Sequence, residues 1–203
     1  GLPLKENIAS AYESAHKDWR SARLDAKRAL GFDEQTPLVF IFGGSQGSAA
    51  INDVIARSGQ SLISRGVNIL HGVGARSMLP DSHDSYQAVN YISDMATAYL
   101  AADLIIARSG AVTCAEVNTL GRYALFIPLP IGNGEQNLNA ASLISQGRAE
   151  ILPQAQFTPD WIDQNLSRLL ACSSAAPISG STIDIEATTK IVALMDHALS
   201  GGK

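Results

Sequence analysis

The sequence predicts an α/β fold, specifically a Rossmann-like doubly wound parallel sheet, from three observations. Short apolar runs such as LIIA (104–107) alternate along the chain with segments of helical periodicity. The runs are apolar at consecutive positions, which is expected of strands covered by helices on both faces. Glycine-rich or polar junctions follow several runs, at the sheet edge where ligands bind in this class of fold.

The elements follow in order from periodicity and from turn-forming residues. Residues 5–30 place apolar side chains at spacings of three and four, which predicts one amphipathic helix. GFDEQTP (31–37) then predicts a turn before the first strand. The predicted strands are 38–42, 67–71, 88–92, 103–107, 123–127 and 149–152. The predicted helices are 47–58, 94–101, 111–120, 135–147, 158–171 and 185–199, and CSSAAPISGST (172–182) is predicted to be a loop.

Composition and charge exclude several classes of protein. The chain has 203 residues, of which 46% are hydrophobic, enough for a substantial core. The net charge of −4 argues against nucleic-acid binding, which usually needs a basic surface. Two cysteines suit a reducing compartment, and no apolar run approaches the ~20 residues of a membrane span. We expect a soluble, intracellular protein.

The chain opens GLPLKEN, without an initiator methionine, which predicts a piece of a longer protein. We divide it into three parts. Residues 1–36 are predicted to be an exit segment and an amphipathic helix, and residues 37–172 a ligand-binding Rossmann-like domain. Residues 173–203 are predicted to be a loop and a C-terminal helix.

The first glycine-rich loop, GGSQG (43–47), allows two interpretations. It could be a tight strand-to-helix turn that needs the conformational freedom of glycine, with Ser45 as the helix cap. It could equally hold a phosphate, because free N–H groups and the positive end of the helix face outward there.

Three named motifs compete for this loop. A dinucleotide fingerprint would put its first glycine on Phe42 and needs an acidic residue after the second strand, which is missing. A P-loop needs a lysine that the loop lacks. The literal G-x-S-x-G match would make Ser45 a hydrolase nucleophile, with Asp160 or Asp163 and then His197 as partners. That elbow lies deep in the sheet of a hydrolase, whereas this loop follows the first strand, so the hydrolase is disfavoured.

A second junction, Arg108-Ser109-Gly110-Ala111, follows the run LIIA. Gly110 allows close approach of the backbone, the helix that begins there presents free N–H groups, and Arg108 adds a cation at the ligand edge. Thr113 and Glu116 stand three apart. They form either a capping box or, with Glu116 accepting from both hydroxyls, a site for a ribose.

The loop PLPIGNGEQNLNA (128–140) ends in carboxylate and amide side chains as a helix begins, namely Glu135, Gln136, Asn137 and Asn139. Amides donate and accept hydrogen bonds, which suits the hydroxyls of a sugar, although polar residues are also common at helix N-termini. Three polar sites facing one crevice indicate a nucleotide-sugar, with its diphosphate, ribose and hexose.

The motifs GGSQG, YISDM (91–95), RSGAVTCAE (108–116) and IPLPIGNGEQNLNA (127–140), in this order, resemble the C-terminal donor-binding domain of the MurG family, in an actinobacterial-like form. This family contains UDP-N-acetylglucosamine-dependent transferases of peptidoglycan synthesis. The resemblance covers nearly the whole chain. It implies the C-terminal half of a two-domain GT-B glycosyltransferase that transfers N-acetylglucosamine to lipid I and thereby makes lipid II.

The resemblance also implies roles for individual residues. The loop with Gly44 and Ser45 would contact the diphosphate, and the backbone of Ile92 would hold the uracil edge. The N-terminus of the helix that begins at Ala111, with Val112 and Thr113, would lie over the phosphates. Glu116 of the same helix would bind the ribose. Gln136, together with Glu135, would bind hydroxyls of the N-acetylglucosamine. Lys5 stands where the family often has an arginine, and it would keep the charge of a donor contact without the bidentate fork. Arg108, Ser109 and Gly110 are assigned to the diphosphate and to its departure as a leaving group.

The catalytic base and the acceptor site are expected in an N-terminal domain that this chain lacks, so the chain alone is predicted to be inactive. His71 lies in the right crevice, but such a histidine is more often structural. No cofactor or metal is expected, since UDP-N-acetylglucosamine is the substrate and no Asp-x-Asp is present. Lipid I would bind through the missing domain, against which the C-terminal helix would pack. The full-length protein is expected at the cytoplasmic face of the plasma membrane, as a peripheral protein.

Three alternatives stay open. A related GT-B glycosyltransferase could use another lipid acceptor. Of other classes, the chain could be a non-catalytic nucleotide-binding module or an NAD-dependent domain.

Overall fold

Within residues 1–130 and 134–200, which the computed structural model describes, six strands form one parallel sheet. Their spatial order is β3-β2-β1-β4-β5-β6, and every neighbouring pair is parallel. The chain reverses its direction of travel across the sheet between β1 and β4, so the crevice for a ligand lies beyond the carboxyl ends of these two strands. The strands are β1 (Leu38–Phe42), β2 (Asn68–Gly72), β3 (Tyr86–Val89), β4 (Leu104–Ala107), β5 (Ala124–Phe126) and β6 (Ala149–Ile151).

Helices cover both faces of the sheet and confirm the predicted fold class. They are α1 (Glu6–Ala15), α2 (Trp19–Ala29), α3 (Ala49–Ser64), α4 (Met95–Ala101), α5 (Ala111–Thr119), α6 (Glu135–Asn139), α7 (Ala141–Ser145), α8 (Pro159–Ala175) and α9 (Ala187–Ser200), with a 3₁₀ turn at Gln154–Gln156.

The core consists of two layers, one on each face of the sheet. All five residues of β1 are buried. Phe40 and Phe42 pack with Tyr99 of α4 on one face, with ring centroids 4.7–5.9 Å apart. Val39 and Ile41 pack on the other face, in the layer that α3 and α8 contribute. The alternation of side chains to the two faces explains why an apolar residue is needed at every position of the strand.

The single helix predicted over residues 5–30 is wrong, because the structure has two helices there. Asp18 ends the continuity: its carboxylate accepts from the backbone N–H of Arg20 and of Ser21, both at 3.0 Å, and so caps a new helix. The predicted helix over 135–147 is likewise divided, into α6 and α7, which meet at Ala140.

Other boundaries also differ from the prediction; helix α3, for example, continues to Ser64 rather than ending at residue 58. Strand β3 is Tyr86–Val89 rather than 88–92, because its register on β2 pairs Tyr86 with Ile69 and Val89 with Gly72, where β2 ends. Residues 90–94 are therefore a loop. Helix α8 continues into the segment predicted to be a loop at 172–182 and ends at Ala175, since the residue before Pro177 adopts an extended backbone.

The last helix, α9, shows an apolar surface to solvent, with Val192, Leu194 and Met195 all more than half exposed. The expected packing of this helix against another domain stays a prediction, as does the division of the chain at residues 36 and 172. None of the helices in the described residues combines the length and apolarity needed to cross a bilayer.

Candidate functional site

A pocket of about 330 Å³ opens at the carboxyl ends of β1 and β2 and at the start of α5. We call it the donor pocket. Its lining includes seven of the residues predicted for the site, namely Lys5, Gly44, Ser45, Ile92, Val112, Thr113 and Glu116. It also includes residues that the sequence did not single out, namely Phe42, Gly72, Gly74, Asn90, Tyr91, Met95 and Tyr99.

The turn after β1 presents Ser45 to solvent in front of a helix. Gly44 has φ +95° with open space around it, so its backbone conformation is the reason for glycine here. The N–H of Gly47 donates to the carbonyl of Gly44 at 3.0 Å and closes the turn. The helix cap is Ser48, whose Oγ accepts from the N–H of Ile51 at 3.4 Å. The interpretation of Ser45 as the cap is therefore wrong, and its side chain is exposed on the turn.

Two glycines lock this turn to the loop after β2. Gly47 and Gly74 both have positive φ, +80° and +93°. A Cβ on Gly47 would overlap the carbonyl oxygen of Val73, and a Cβ on Gly74 would overlap the N–H of Gly47. The N–H of Ala75 also donates to the carbonyl of Ser45, at 3.2 Å. The two loops therefore hold one rim of the donor pocket. Sequence reasoning missed Gly74, whose signal is a second glycine directly after a buried strand.

Glu116 brings a carboxylate into the wall of the donor pocket although its side chain is only 5% exposed. The hydroxyl of Tyr99 donates to Glu116 Oε2 at 2.9 Å. Burial raises the pKa of Glu116, and the Tyr99 hydrogen bond and the charge of Lys5 oppose that rise. Since Tyr99 occupies one oxygen, Oε1 is the oxygen available to a ligand.

The capping-box interpretation of Thr113 and Glu116 is wrong. Helix α5 begins at Ala111 with Gly110 in the cap position, so Thr113 lies in the first turn and not before it. Glu116 is bonded to a side chain from α4 instead of reaching back to the helix start. Tyr99 was not identified from the sequence, because a tyrosine inside a short apolar helix is ordinarily part of the core.

The loop after β3 carries Ile92 at the opposite wall of the donor pocket. In the described part of the chain, no hydrogen bond involves the backbone of Ile92. Asp94 closes the loop by capping α4, with its carboxylate accepting from the N–H of Thr97 at 3.1 Å. The Ile92 side chain packs against Gly72, so the loop is held while one peptide edge stays open to a ligand.

Arg108 lies outside the donor pocket, and both of its terminal nitrogens are bonded to the protein. Its Nη1 donates to the carbonyls of Ile127 (2.9 Å) and Pro128 (3.0 Å), and its Nη2 donates to Ser48 Oγ and Gln154 Oε1, both at 2.7 Å. Burial lowers its pKa from the ordinary arginine value. The guanidinium thus ties the junction after β4 to the start of α3 and to the loop after β5, instead of reaching the pocket as predicted.

The neighbours of Arg108 are support rather than lining. Ser109 is fully buried, its Oγ has no hydrogen-bond partner, and its carbonyl accepts from Asn139 Nδ2 at 3.0 Å. Gly110 caps α5, and Ala111 is the first residue of that helix and faces a separate small cavity.

Glu135 and Gln136 lie at the start of α6, outside the donor pocket. Gln136 Oε1 accepts from the N–H of Leu129 at 2.9 Å, which leaves its amide N–H₂ group for other partners. Glu135 is exposed. The intervening residues 131–133 of the predicted sugar loop lie outside the described residues.

Two catalytic alternatives find no support in the geometry. His71 is buried between Tyr86 OH (2.8 Å) and Asn52 Oδ1 (3.1 Å), and burial lowers its pKa to about 4, so it is a neutral structural residue at pH 7. Asp163, a proposed partner of Ser45, accepts from Ser61 Oγ at 2.8 Å. Ser61 is twelve residues beyond the start of α3, about 18 Å along the helix, so Asp163 cannot assist Ser45.

Comparison with known proteins identifies the family to which this chain is similar. Residues 38–191 match the family model described as the glycosyltransferase family 28 C-terminal domain. The chain is 39% identical to the UDP-N-acetylglucosamine–N-acetylmuramyl-(pentapeptide) pyrophosphoryl-undecaprenol N-acetylglucosamine transferase of Streptomyces coelicolor, over 84% of this chain and 47% of the relative. It is 40% identical to the transferase of the same name from Corynebacterium efficiens, over 78% of this chain and 42% of the relative.

Among solved structures, Acinetobacter baumannii MurG superposes with a TM-score of 0.63 at 30% identity, covering 82% of this chain and 48% of that one. The calicheamicin glycosyltransferase CalG4 superposes with a TM-score of 0.56 at 12% identity, over 81% and 44%, which shows the shared fold. The chain spans about half the length of the curated relatives it matches.

Proposed function

Since the chain belongs to the glycosyltransferase family 28 C-terminal domains, we propose that it binds the UDP-N-acetylglucosamine donor of an inverting N-acetylglucosaminyltransferase. The observation that carries the proposal is the composition of one pocket. A buried carboxylate, an open peptide edge at Ile92 and a glycine turn in front of a helix all line it. These three groups match, in turn, a ribose, a uracil edge and a diphosphate.

The ribose is assigned to Glu116. A carboxylate only accepts hydrogen bonds, and the 2′- and 3′-hydroxyls of a ribose offer two donors. Oε1 of Glu116 is available because Tyr99 binds Oε2, and the tyrosine also fixes the direction of the carboxylate. Lys5, which lines the same pocket, favours the ionised form of Glu116 that this role requires.

The uracil is assigned to the loop after β3 and the diphosphate to the turn after β1. Uracil has an N–H between two carbonyls, and the backbone of Ile92 offers the complementary C=O and N–H. The diphosphate would lie over Gly44 and Ser45 and against the first turn of α5, where Val112 and Thr113 line the pocket. Free N–H groups at that helix start favour an anion.

The reaction needs groups that this chain does not place in the donor pocket. The acceptor hydroxyl, deprotonated by a base on another domain, would attack the anomeric carbon as UDP departs, which inverts the configuration. This chain's part is to hold UDP and stabilise the charge that grows on the leaving diphosphate. Glu135 and Gln136 would meet the N-acetylglucosamine, which extends out of the pocket towards α6. The acceptor is proposed to be lipid I, in agreement with the N-acetylmuramyl-(pentapeptide) pyrophosphoryl-undecaprenol acceptor in the names of the relatives. The site of the reaction is proposed to be the cytoplasmic face of the membrane.

Thermal unfolding of the chain with UDP, UDP-N-acetylglucosamine, UDP-glucose and NAD⁺ tests the proposal. A ligand at 100 times its dissociation constant stabilises the folded state by about 2.7 kcal/mol. For a chain of this size, that raises Tm by several degrees, at about 2–4 °C per kcal/mol. We expect a rise with the three uridine nucleotides, largest for the N-acetyl sugar. A rise with NAD⁺ alone, or with no ligand, contradicts the proposal.

A further inference from the structure

A second pocket, of about 480 Å³, lies at the amino ends of the strands, on the opposite edge of the sheet from the donor pocket. Pro37 precedes β1, Asp103 precedes β4 and Arg122 precedes β5 in its wall. The five residues of β1 separate the two edges by about 16 Å. We call it the arginine pocket, and its lining is completed by Arg20, Arg23, Leu170, Ser173, Ser174 and Ile178.

Cations outnumber carboxylates around the arginine pocket. Arg20, Arg23 and Arg122 line it, and Asp103 is the carboxylate among the described lining residues. Asp103 is already engaged: Lys27 Nζ lies 2.7 Å from its Oδ2, which also accepts from the N–H of Leu38 at 2.8 Å. This local excess of positive charge stands in a chain whose net charge is −4, so it does not follow from the overall composition.

Several guanidinium donors at the arginine pocket lack an acceptor. Arg122 is 2% exposed, and its Nη2 donates to the carbonyl of Ala102. Its Nε and Nη1 have no partner among the described residues and are shielded from solvent, so Arg122 adds positive charge behind the pocket wall. Arg23 Nη2 donates to the carbonyl of Gly121 at 3.2 Å, and its Nε is shielded from solvent. Within the described chain, Arg23 Nη1 and the exposed guanidinium of Arg20 make no hydrogen bond. The guanidinium of Arg20 and the Nη1 of Arg23 are therefore the donors that a ligand in the arginine pocket can reach.

The accessible donors of Arg20 and Arg23 suit an anion with several oxygens. Planar guanidinium forks match the geometry of phosphate and carboxylate, and they bind phosphate with two parallel hydrogen bonds. Leu170 and Ile178 add apolar wall beside the charges, and the volume exceeds what a bare anion needs. We propose that the arginine pocket binds the phosphate group of a small soluble phosphorylated molecule, independently of the sugar nucleotide in the donor pocket.

Equilibrium dialysis with radiolabelled inorganic phosphate, at constant ionic strength in chloride, tests this inference. Saturating UDP is included so that phosphate cannot occupy the donor pocket. We expect one saturable site in the unmodified chain. Arg23→Gln should weaken phosphate binding at least tenfold, and Arg20→Gln, an exposed position at the rim, at least threefold. Circular dichroism establishes that each variant is folded.

The matched control is Arg57→Gln, an exposed arginine on α3 that is paired with Asp53 at 2.5 Å and does not line the arginine pocket. It should leave phosphate binding unchanged. Absence of saturable binding, or equal affinity in all three variants, would overturn the inference. Sedimentation with vesicles that contain phosphatidic acid, without binding of free phosphate, would assign the arginines to a lipid headgroup and likewise overturn a soluble ligand. Because the readout depends on Arg20 and Arg23, its result is separate from that of the UDP experiment.

Discussion

Replacing Glu116 by glutamine separates the binding role of this residue from a structural one. The amide oxygen can still accept the hydrogen bond that the Tyr99 hydroxyl now donates to Oε2, at 2.9 Å. The NH₂ group, however, replaces a charged acceptor with a donor where the ribose hydroxyls would lie. The loss of one hydrogen bond to a charged group costs about 1.5–3 kcal/mol, or about 10- to 150-fold in the dissociation constant of UDP.

The same substitution should leave the free energy of unfolding unchanged or higher at pH 7. Burial raises the pKa of Glu116, so in the folded state the ionised carboxylate is disfavoured. The stability that this group contributes is present below its unfolded pKa and is lost as pH rises through its higher folded pKa. At pH 7 the wild-type chain therefore carries the cost of a buried charge that glutamine removes. A site retained for binding should show this opposition between affinity and stability.

Isothermal titration with UDP and urea unfolding at pH 7 measure the two quantities on Glu116→Gln. Tyr99→Phe is the matched variant, since it removes the other partner of the hydrogen bond and keeps the carboxylate. We expect Tyr99→Phe to lose about 1 kcal/mol of stability with a smaller change in UDP affinity. If Glu116→Gln loses stability while its UDP affinity stays within twofold of wild type, Glu116 serves only the packing of α5 on α4, and the ribose assignment is refuted.

Three further predictions follow from the contacts of Arg108, His71 and Gly74. Arg108→Met should lower the free energy of unfolding by about 2–4 kcal/mol, because four hydrogen bonds are lost. Its UDP affinity should stay within threefold of the wild-type value. A tenfold weaker affinity at unchanged stability would instead place the guanidinium on the diphosphate. His71 has a folded pKa of about 4, below the ordinary 6.5, so it takes up a proton when the chain unfolds at mildly acidic pH. Urea titrations should therefore show the free energy of unfolding falling by about 2 kcal/mol from pH 7 to pH 5. The variant His71→Gln should show a smaller fall over the same pH range. Gly74→Ala should lower the stability measured by thermal unfolding by at least about 2 kcal/mol, because the added Cβ would overlap Gly47. Gly66→Ala, at a position with positive φ but open space, should lower it by about 1 kcal/mol. Equal losses would contradict the close contact between the loops after β1 and β2.

The sequence predicts a strand best where the strand's own residues determine where it begins and ends. The pattern predicts strand β1 at 38–42 because the run is apolar on both faces and is bounded by Pro37 and Gly43. Strand β3 was misplaced because only half of its residues are buried, and its limits come from its register on β2 rather than from its own pattern. The single helix predicted at the start of the chain failed for the opposite reason: one aspartate cap, Asp18, outweighs a continuous apolar stripe.

The sequence predicts which residues lie at the ligand edge of the sheet, but not where their side chains point. The run LIIA places Arg108 at the ligand edge, yet its guanidinium donates to acceptors as distant in sequence as Ser48. For Glu116 the choice between capping and binding depended on where α5 begins, which Gly110 sets. Tyr99 carried no signal at all, since its contribution depends on α4 lying beside α5.

The charges of the donor pocket follow from this division between lining and support. With Arg108 engaged by the protein, Lys5 is the cation among the described residues that line the pocket, and it faces the carboxylate of Glu116. A diphosphate bound there must therefore be held mainly by N–H groups of the glycine turn and of the α5 start. Such groups are fixed by the backbone, and Gly47, Gly74 and Arg108 hold that backbone in place. Under the proposed function, Arg108 would therefore serve the leaving group indirectly, by positioning the helix end rather than by contact.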